Sequence, residues 1–478
     1  LKGDTGAKRT WFYENGAFVA AALAAVLWHV VLSTNIGDDM VYFKTLLDGN
    51  SHLGEILAHR YETWSSRMVI EAVLIPLVHC PLLWKILDIV IFTSLPVLLC
   101  GLLGVTGRGR WFVAGLVLLY PFADMASAGW IATTTNYLWP LWGVLVIGMV
   151  LKQLRCGRKV PVWEAVAAVA VLLFLLLGME VLHYILEKRM KQPLLYALCG
   201  IDIISLVYIL SCPGNAIRSA QEMAGRMPEF ADFTFWEKLY MGLANVERIF
   251  IAQLDPIYCV VAAVLVLLVY RKTGDYRKTL LAGIPALLLF GQAVVRVSHP
   301  SLKKVFARPE QTTHWDWHAL VTYMPLVFLV LSVLGILYAL WQLVDGAWKY
   351  YLWTVFLMAG GFATGVVMGF SPTIYASANH PYLYLYFVLI YVCADVVWNM
   401  GGMKVVWKTG SEDAVQKTGD ADAVWKTGSE DVAQSGSGVH SEGKMPVPEK
   451  LMFTVLGLLV LANILDVTRM CWLLGRIL

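Results

Sequence analysis

Residues 34–42, Thr-Asn-Ile-Gly-Asp-Asp-Met-Val-Tyr, put two adjacent carboxylates, Asp38 and Asp39, at the end of a long apolar stretch. Like charges at a partly desolvated surface raise the affinity of one carboxylate for protons, which suits a general base. Two carboxylates also offer the oxygen ligands that a divalent cation such as Mg or Mn takes. Aspartate equally favours helix caps and turns, so the pair also fits a purely structural role.

The same stretch continues into His59-Arg60-Tyr61-Glu62-Thr63-Trp64-Ser65-Ser66-Arg67. The planar forks of Arg60 and Arg67 match phosphate oxygens in pairs. Near a membrane surface they could instead hold lipid headgroups. Downstream, Trp130-Ile-Ala-Thr-Thr-Thr-Asn136-Tyr137-Leu-Trp139-Pro140 combines an amide with aromatic rings. Such rings stack on sugar faces and also form interfacial belts. Glu180 ends an apolar run, where a carboxylate is costly and a functional candidate by default; pairing with His183 is the structural alternative. Cys212-Pro213-Gly214-Asn215 reads as a turn followed by a helix start that carries Arg218. His314-Trp-Asp316-Trp-His318 alternates metal-ligand types, but on a helix only the two histidines share a face. A polar strip at 371–381 contains Asn379 and His380.

These groups need a scaffold, and the composition names its solvent. The chain has 478 residues, 58% hydrophobic and 15% charged, with net charge +3. Soluble domains carry about 25% charge, and a net charge this small is no nucleic-acid footprint. Long apolar runs require helices rather than barrel strands in lipid. The expectation is therefore an all-α polytopic transmembrane bundle of about 12–13 spans. They lie near 16–34, 82–104, 109–123, 137–154, 161–180, 181–192, 193–211, 246–270, 279–297, 318–343, 349–370, 382–399 and 450–474. The first is read as an anchor rather than a removed signal peptide.

Basic residues at Lys8/Arg9, Arg108/Arg110, 152–159, 188–191, 271–278 and Lys349 place the N-terminus in the cytoplasm. The opposite, external loops are then 35–81, 123–137, 212–245, 298–317 and 371–381. The first contains a short apolar segment, 68–80, suited to an interfacial helix. Residues 1–399 form the core and 450–478 a C-terminal span. Between them, 400–449 reads as a disordered cytoplasmic loop with three nine-residue repeats, beginning at Val406, Val415 and Val424. Lys85 and Asp88, three apart inside a span, are expected to neutralise each other. The 8 cysteines form no CxxC pair and read as packing residues. No Walker loop, GxGxxG, GxSxG or HExxH occurs.

Gly37-Asp38-Asp39 with Tyr42, Trp64-Ser-Ser-Arg67, Trp130…Asn136-Tyr137-Leu-Trp139, Glu180, Pro213-Gly214-Asn215…Arg218 and Ser371-Pro372 follow one another along the chain. In that order they resemble the GT-C superfamily of polytopic glycosyltransferases. More narrowly, they are similar to the bacterial serotype-converting glucosyltransferases that modify O-antigen. The resemblance implies an enzyme of the bacterial inner membrane. It would move a sugar from a polyprenyl-phosphate donor to a cell-surface glycan or lipid-linked acceptor on the extracytoplasmic face, with no nucleic-acid partner.

In that reading Asp38 or Asp39 acts on the acceptor, and Arg60, Arg67 and Arg218 hold the donor phosphate. Tyr42, Glu62, Trp64, Trp130, Asn136, Tyr137, Trp139, Glu180, Asn215 and His380 contact sugar or acceptor. A stabilised phosphate leaving group barely needs a general acid, and single displacement inverts the anomer. A polysaccharide polymerase or ligase, a lipid or glycan transporter, and a docking scaffold that uses the repeats are the competing classes.

Overall fold

The computed structural model describes residues 3–34, 38–47, 52–122, 129–155, 193–298, 317–318, 320–344, 346–377, 379–400 and 447–477. Every regular element among them is helical. Among the described residues seven helices are long and apolar enough to cross a membrane: Pro81–Leu103, Ile131–Gln153, Pro256–Thr273, Thr322–Leu343, Trp348–Phe370, His380–Asn399 and Leu451–Leu473. A bent pair, Ile203–Ser211 with Pro213–Arg226 at 55°, makes up to eight. Lipid leaves backbone groups no partner but each other, so helices are the required solution. Large apolar side chains such as Leu23, Val90, Ile204, Leu210 and Leu458 are exposed on the outer faces, as lipid contact allows.

The expected dozen spans are only partly met. The 161–180 and 181–192 segments lie outside the described residues. The 109–123 run is a helix of only 10 residues, Gly109–Leu118. The 279–297 run divides at Gly283 into Tyr276–Ala282 and Ile284–Ser298. The 246–270 run starts late. A π-helical turn, Arg248–Ala252, is followed by Leu254 at φ 57°. Asp255 then caps a new helix, accepting from Tyr258 N at 3.0 Å, with Pro256 at its first position.

Helix α1 (Gly3–Val31) packs against α5 (Pro81–Leu103) and α6 (Gly109–Leu118). The helix Val447–Ile477 covers α1 and α6. Trp28, Phe92 and Phe122 form the aromatic centre here, with centroids 5.1–5.6 Å apart. Between α1 and α5 run three short helices: α2 (Asp38–Thr45), α3 (Leu53–Thr63) and α4 (Met68–His79). At about 1.5 Å per residue, α4 is about 18 Å long, too short to span a 30 Å hydrocarbon core. It is the helix expected over 68–80.

The expected loop 123–137 is corrected at its end. A single turn, α7 (Ile131–Thr133), enters a π turn at Thr134–Leu138 and continues as α8 (Trp139–Arg155). Asn136 and Tyr137 therefore sit within a span rather than in a loop. The loop 212–245 is also mostly helical: α10 (Pro213–Arg226), which follows α9 (Pro193–Ser211), then a 3₁₀ turn, then α11 (Phe235–Glu247).

Candidate functional site

Four segments far apart in sequence meet around the turn Trp64–Arg67. Helix α2 packs on α4 and α7, and α4 on α3, α7 and the π turn. Helix α10 packs on α3. Its approach is close: a Cβ on Gly214 would lie 2.4 Å from Trp64 N and 2.6 Å from Tyr61 O. Only glycine fits between the two backbones there. Pro213 begins the helix, and Cys212 Sγ donates to Tyr61 O at 3.1 Å. Asn215 Oδ1 accepts from Ser66 N at 3.3 Å, and its Nδ2 donates to Ile209 O at 2.9 Å.

Arg67 occupies the centre of this meeting. Its backbone N and its Nε both donate to Ser65 Oγ at 3.1 Å. One terminal nitrogen donates to Asn136 Oδ1 at 2.9 Å. Asn136 Nδ2 is in turn tied to Ala132 O at 2.7 Å, across the π turn. Arg67 keeps partial surface exposure, but the surrounding protein removes much of its hydration. This desolvation, with the nearby Arg218 charge, pulls its pKa below the ordinary arginine value. Two cations thus face one place, which favours a bound anion. Arg218 lies over the Trp64 ring at 5.4 Å and 3.9 Å from Glu222. A surface depression of about 340 Å³ opens beside them, lined by Trp64, Gln221, Glu222, Gly225 and Arg226.

Arg60 does not join the other two arginines. It is 3% exposed and forms a two-point ion pair with Glu71, which is 1% exposed. Arg60 Nε meets Glu71 Oε2, and a terminal nitrogen donates to Oε1 at 2.9 Å. A second donates to the Tyr42 hydroxyl at 2.9 Å. Burial lowers the Arg60 pKa, but Glu71 and Tyr42 outweigh that, and the net shift is upward. This pair ties α2, α3 and α4 together. Glu71 is the residue that reading the sequence missed. Its signal was present: it is the only acidic residue in an otherwise apolar twelve-residue helix.

The remaining expected site residues fall in several environments. Asp38 and Asp39 form the first turn of α2. Glu62 is exposed on α3. Tyr137 packs against the His380 ring at 4.6 Å, which brings the 371–381 strip to the same place. Trp130 is 4% exposed, and its face is covered by protein. Trp139 turns its indole N–H into the bundle, onto Asp88 Oδ1 at 2.7 Å. Glu180 and most of the 314–318 motif lie outside the described residues.

The expected Lys85–Asp88 pair is not formed. Lys85 Nζ donates to Leu32 O at 2.8 Å, and Asp88 instead faces His29 Nε2 at 3.0 Å. Both side chains reach the C-terminal part of α1, one turn apart, and each takes its partner there rather than the other. Among the described residues no group of three or more His, Cys, Asp or Glu side chains converges as a metal site.

Fold and site together define a polytopic helical membrane protein with a polar, cationic cluster at one end of its bundle. No family model, curated protein or solved structure matches the chain.

Proposed function

We propose that this protein is a membrane glycosyltransferase that moves a sugar from a polyprenyl-phosphate donor to a cell-surface glycan or lipid-linked acceptor. The observation that carries the reading is the convergence of Arg67 and Arg218 beside Trp64. Departure of a sugar from a phosphate leaves a second negative charge on that phosphate. Preorganised cations in a partly dehydrated site stabilise such charge best, because they need not reorganise. Arg67 is held on both sides, by Ser65 and Asn136, and so meets that description. Asp38 or Asp39 takes the acceptor hydroxyl proton, and the sugar–phosphate bond breaks as the new glycosidic bond forms, with inversion. Trp64 and the polar rim of Gln221, Glu222 and Arg226 offer a surface for the glycan.

Asn136, Asn215, Trp139 and Arg60 act in this scheme through other residues, since their polar groups are engaged with protein. The reaction belongs on the extracytoplasmic side. The site lies at the end of α5 opposite to Leu103, where Lys152 donates to Gly101 O and Leu102 O.

The test is mass analysis of surface glycans from cells with the intact protein, without it, and with Arg67→Ala or Asp38→Asn. Membrane expression of each variant is checked in parallel. A discrete sugar increment lost in the null and in a variant supports the reading. An increment lost in the null but kept in every variant refutes it.

A further inference from the structure

Asp88 takes no part in the chemistry above, yet it is fully buried near the start of α5, and its contacts reach two other helices. His29 Nε2, from α1, lies 3.0 Å from Oδ2, and Trp139 Nε1, from α8, donates to Oδ1 at 2.7 Å. On its other side His29 Nδ1 is 2.7 Å from Ala25 O. A carbonyl oxygen only accepts, so Nδ1 carries a proton. Nε2 then either donates as imidazolium to a carboxylate or accepts from a carboxylic acid. Both arrangements leave the pair neutral overall and spare the bundle an isolated buried charge. In both, Oδ1 accepts the indole proton.

The nearest charged group on α5 is engaged elsewhere: Lys85 is on Leu32 O and faces Cys471 of the C-terminal helix.

Trp139 is the residue directly after the π turn. At the turn's other end, Thr134 Oγ1 accepts from Trp84 Nε1 at 2.9 Å. Trp84 and Asp88 are four apart on α5, hence on one face. This face grips both ends of the Thr134–Leu138 turn. A π turn holds one residue more than the helix accommodates, and persists where its surroundings pin it. Inside it sits Asn136, which holds Arg67.

We propose that Asp88, backed by His29, is a positioning residue for the phosphate site: it fixes Trp139, and so the register that turns Asn136 toward Arg67. The proposal rests on the reading of Arg67 as a phosphate cation. It predicts an unusual tolerance. In Asp88→Asn the amide oxygen still accepts from Trp139 and the amide nitrogen donates to neutral His29, so every hydrogen bond survives. Asp88→Ala loses both.

The experiment uses the full chain in nanodiscs and the variants Asp88→Ala, Asp88→Asn, Trp139→Phe and Asp88→Ala/Trp139→Phe. Hydrogen exchange of peptides covering 131–139 reads the turn. Binding of polyprenyl phosphate, with neutral polyprenol as control, reads the site. Asp88→Ala and Trp139→Phe are each expected to raise exchange there and weaken binding about tenfold. The double variant should be no worse than the worse single, and Asp88→Asn near the parent. Trp139→Phe keeps the aromatic bulk, so the test survives if Asp88→Ala fails to fold. Unchanged exchange in Trp139→Phe, or single effects that multiply in the double, overturns the positioning. If the parent prefers polyprenyl phosphate no more than polyprenol, the phosphate reading fails, while the exchange data still decide whether Asp88 sets the turn.

Discussion

Arg67 and Asn136 are 69 positions apart, and the arginine donates to the amide oxygen at 2.9 Å. The bond joins a loop turn to a π turn inside a span, and with Ser65 it leaves the guanidinium one preferred direction. Arg67→Lys keeps the charge but cannot span Ser65 and Asn136 with one ammonium. A transfer rate reduced about 10²-fold is expected for Arg67→Ala, with Arg67→Lys between it and the parent. Donor-titrated rates in isolated membranes measure this. Equal rates for lysine and arginine would mean the fork geometry is unimportant.

The buried Arg60–Glu71 pair is expected to matter for stability rather than for binding. Removing one partner strands a buried charge and costs about 3–5 kcal/mol, whereas replacing both with apolar residues is far milder. Glu71→Leu should therefore lower the detergent-solubilised melting temperature more than Arg60→Met/Glu71→Leu. A double variant worse than the single would contradict the pairing.

Gly214 has no room for a methyl group against the 61–65 backbone. Gly214→Ala should push α10 away from the turn, at a cost of about 1–3 kcal/mol. Arg218 and Trp64 would separate, so activity should fall even where expression is retained. A crosslink between cysteines placed at Tyr61 and Ile217 would form more slowly if the helix has moved, and at the parental rate if it has not.

Asp38 and Asp39 open α2, where a carboxylate also favours the helix N-terminus. A base role predicts that one Asp→Asn change reduces transfer by about 10²–10⁴-fold with normal membrane levels. A cap role predicts lowered expression with the remaining protein fully active. Activity per molecule separates the two.

Much of this was legible in the sequence. The spans 82–104, 318–343, 349–370 and 382–399 correspond to helices within a few residues, because an apolar run of that length has one solution in lipid. The short helix at 68–80 was legible for the same reason: its length is measured against the bilayer. The lateness of Pro256–Thr273 was legible as well, though a length count alone reads past it: Glu247, Arg248, Gln253 and Asp255 interrupt 246–270, and Asp255-Pro256 is a helix-start pair. What the sequence did not show is the left-handed backbone at Leu254 that precedes it.

The site divides in the same way. By itself the sequence determined that the protein lives in lipid as a helical bundle and which residue types were out of place there. It supplied the arginines, the acidic pair and the helix start at Pro213-Gly214-Asn215. Only the tertiary structure decided their partners. Arg60 and Arg67 are indistinguishable by type, yet one is locked onto Glu71 and the other faces Arg218. Asp88 left its expected helical neighbour Lys85 for His29 on another helix. Spacing along a chain fixes which face a side chain is on; which of two faces meets an opposite charge depends on how the helices pack, and that is a property of the whole bundle.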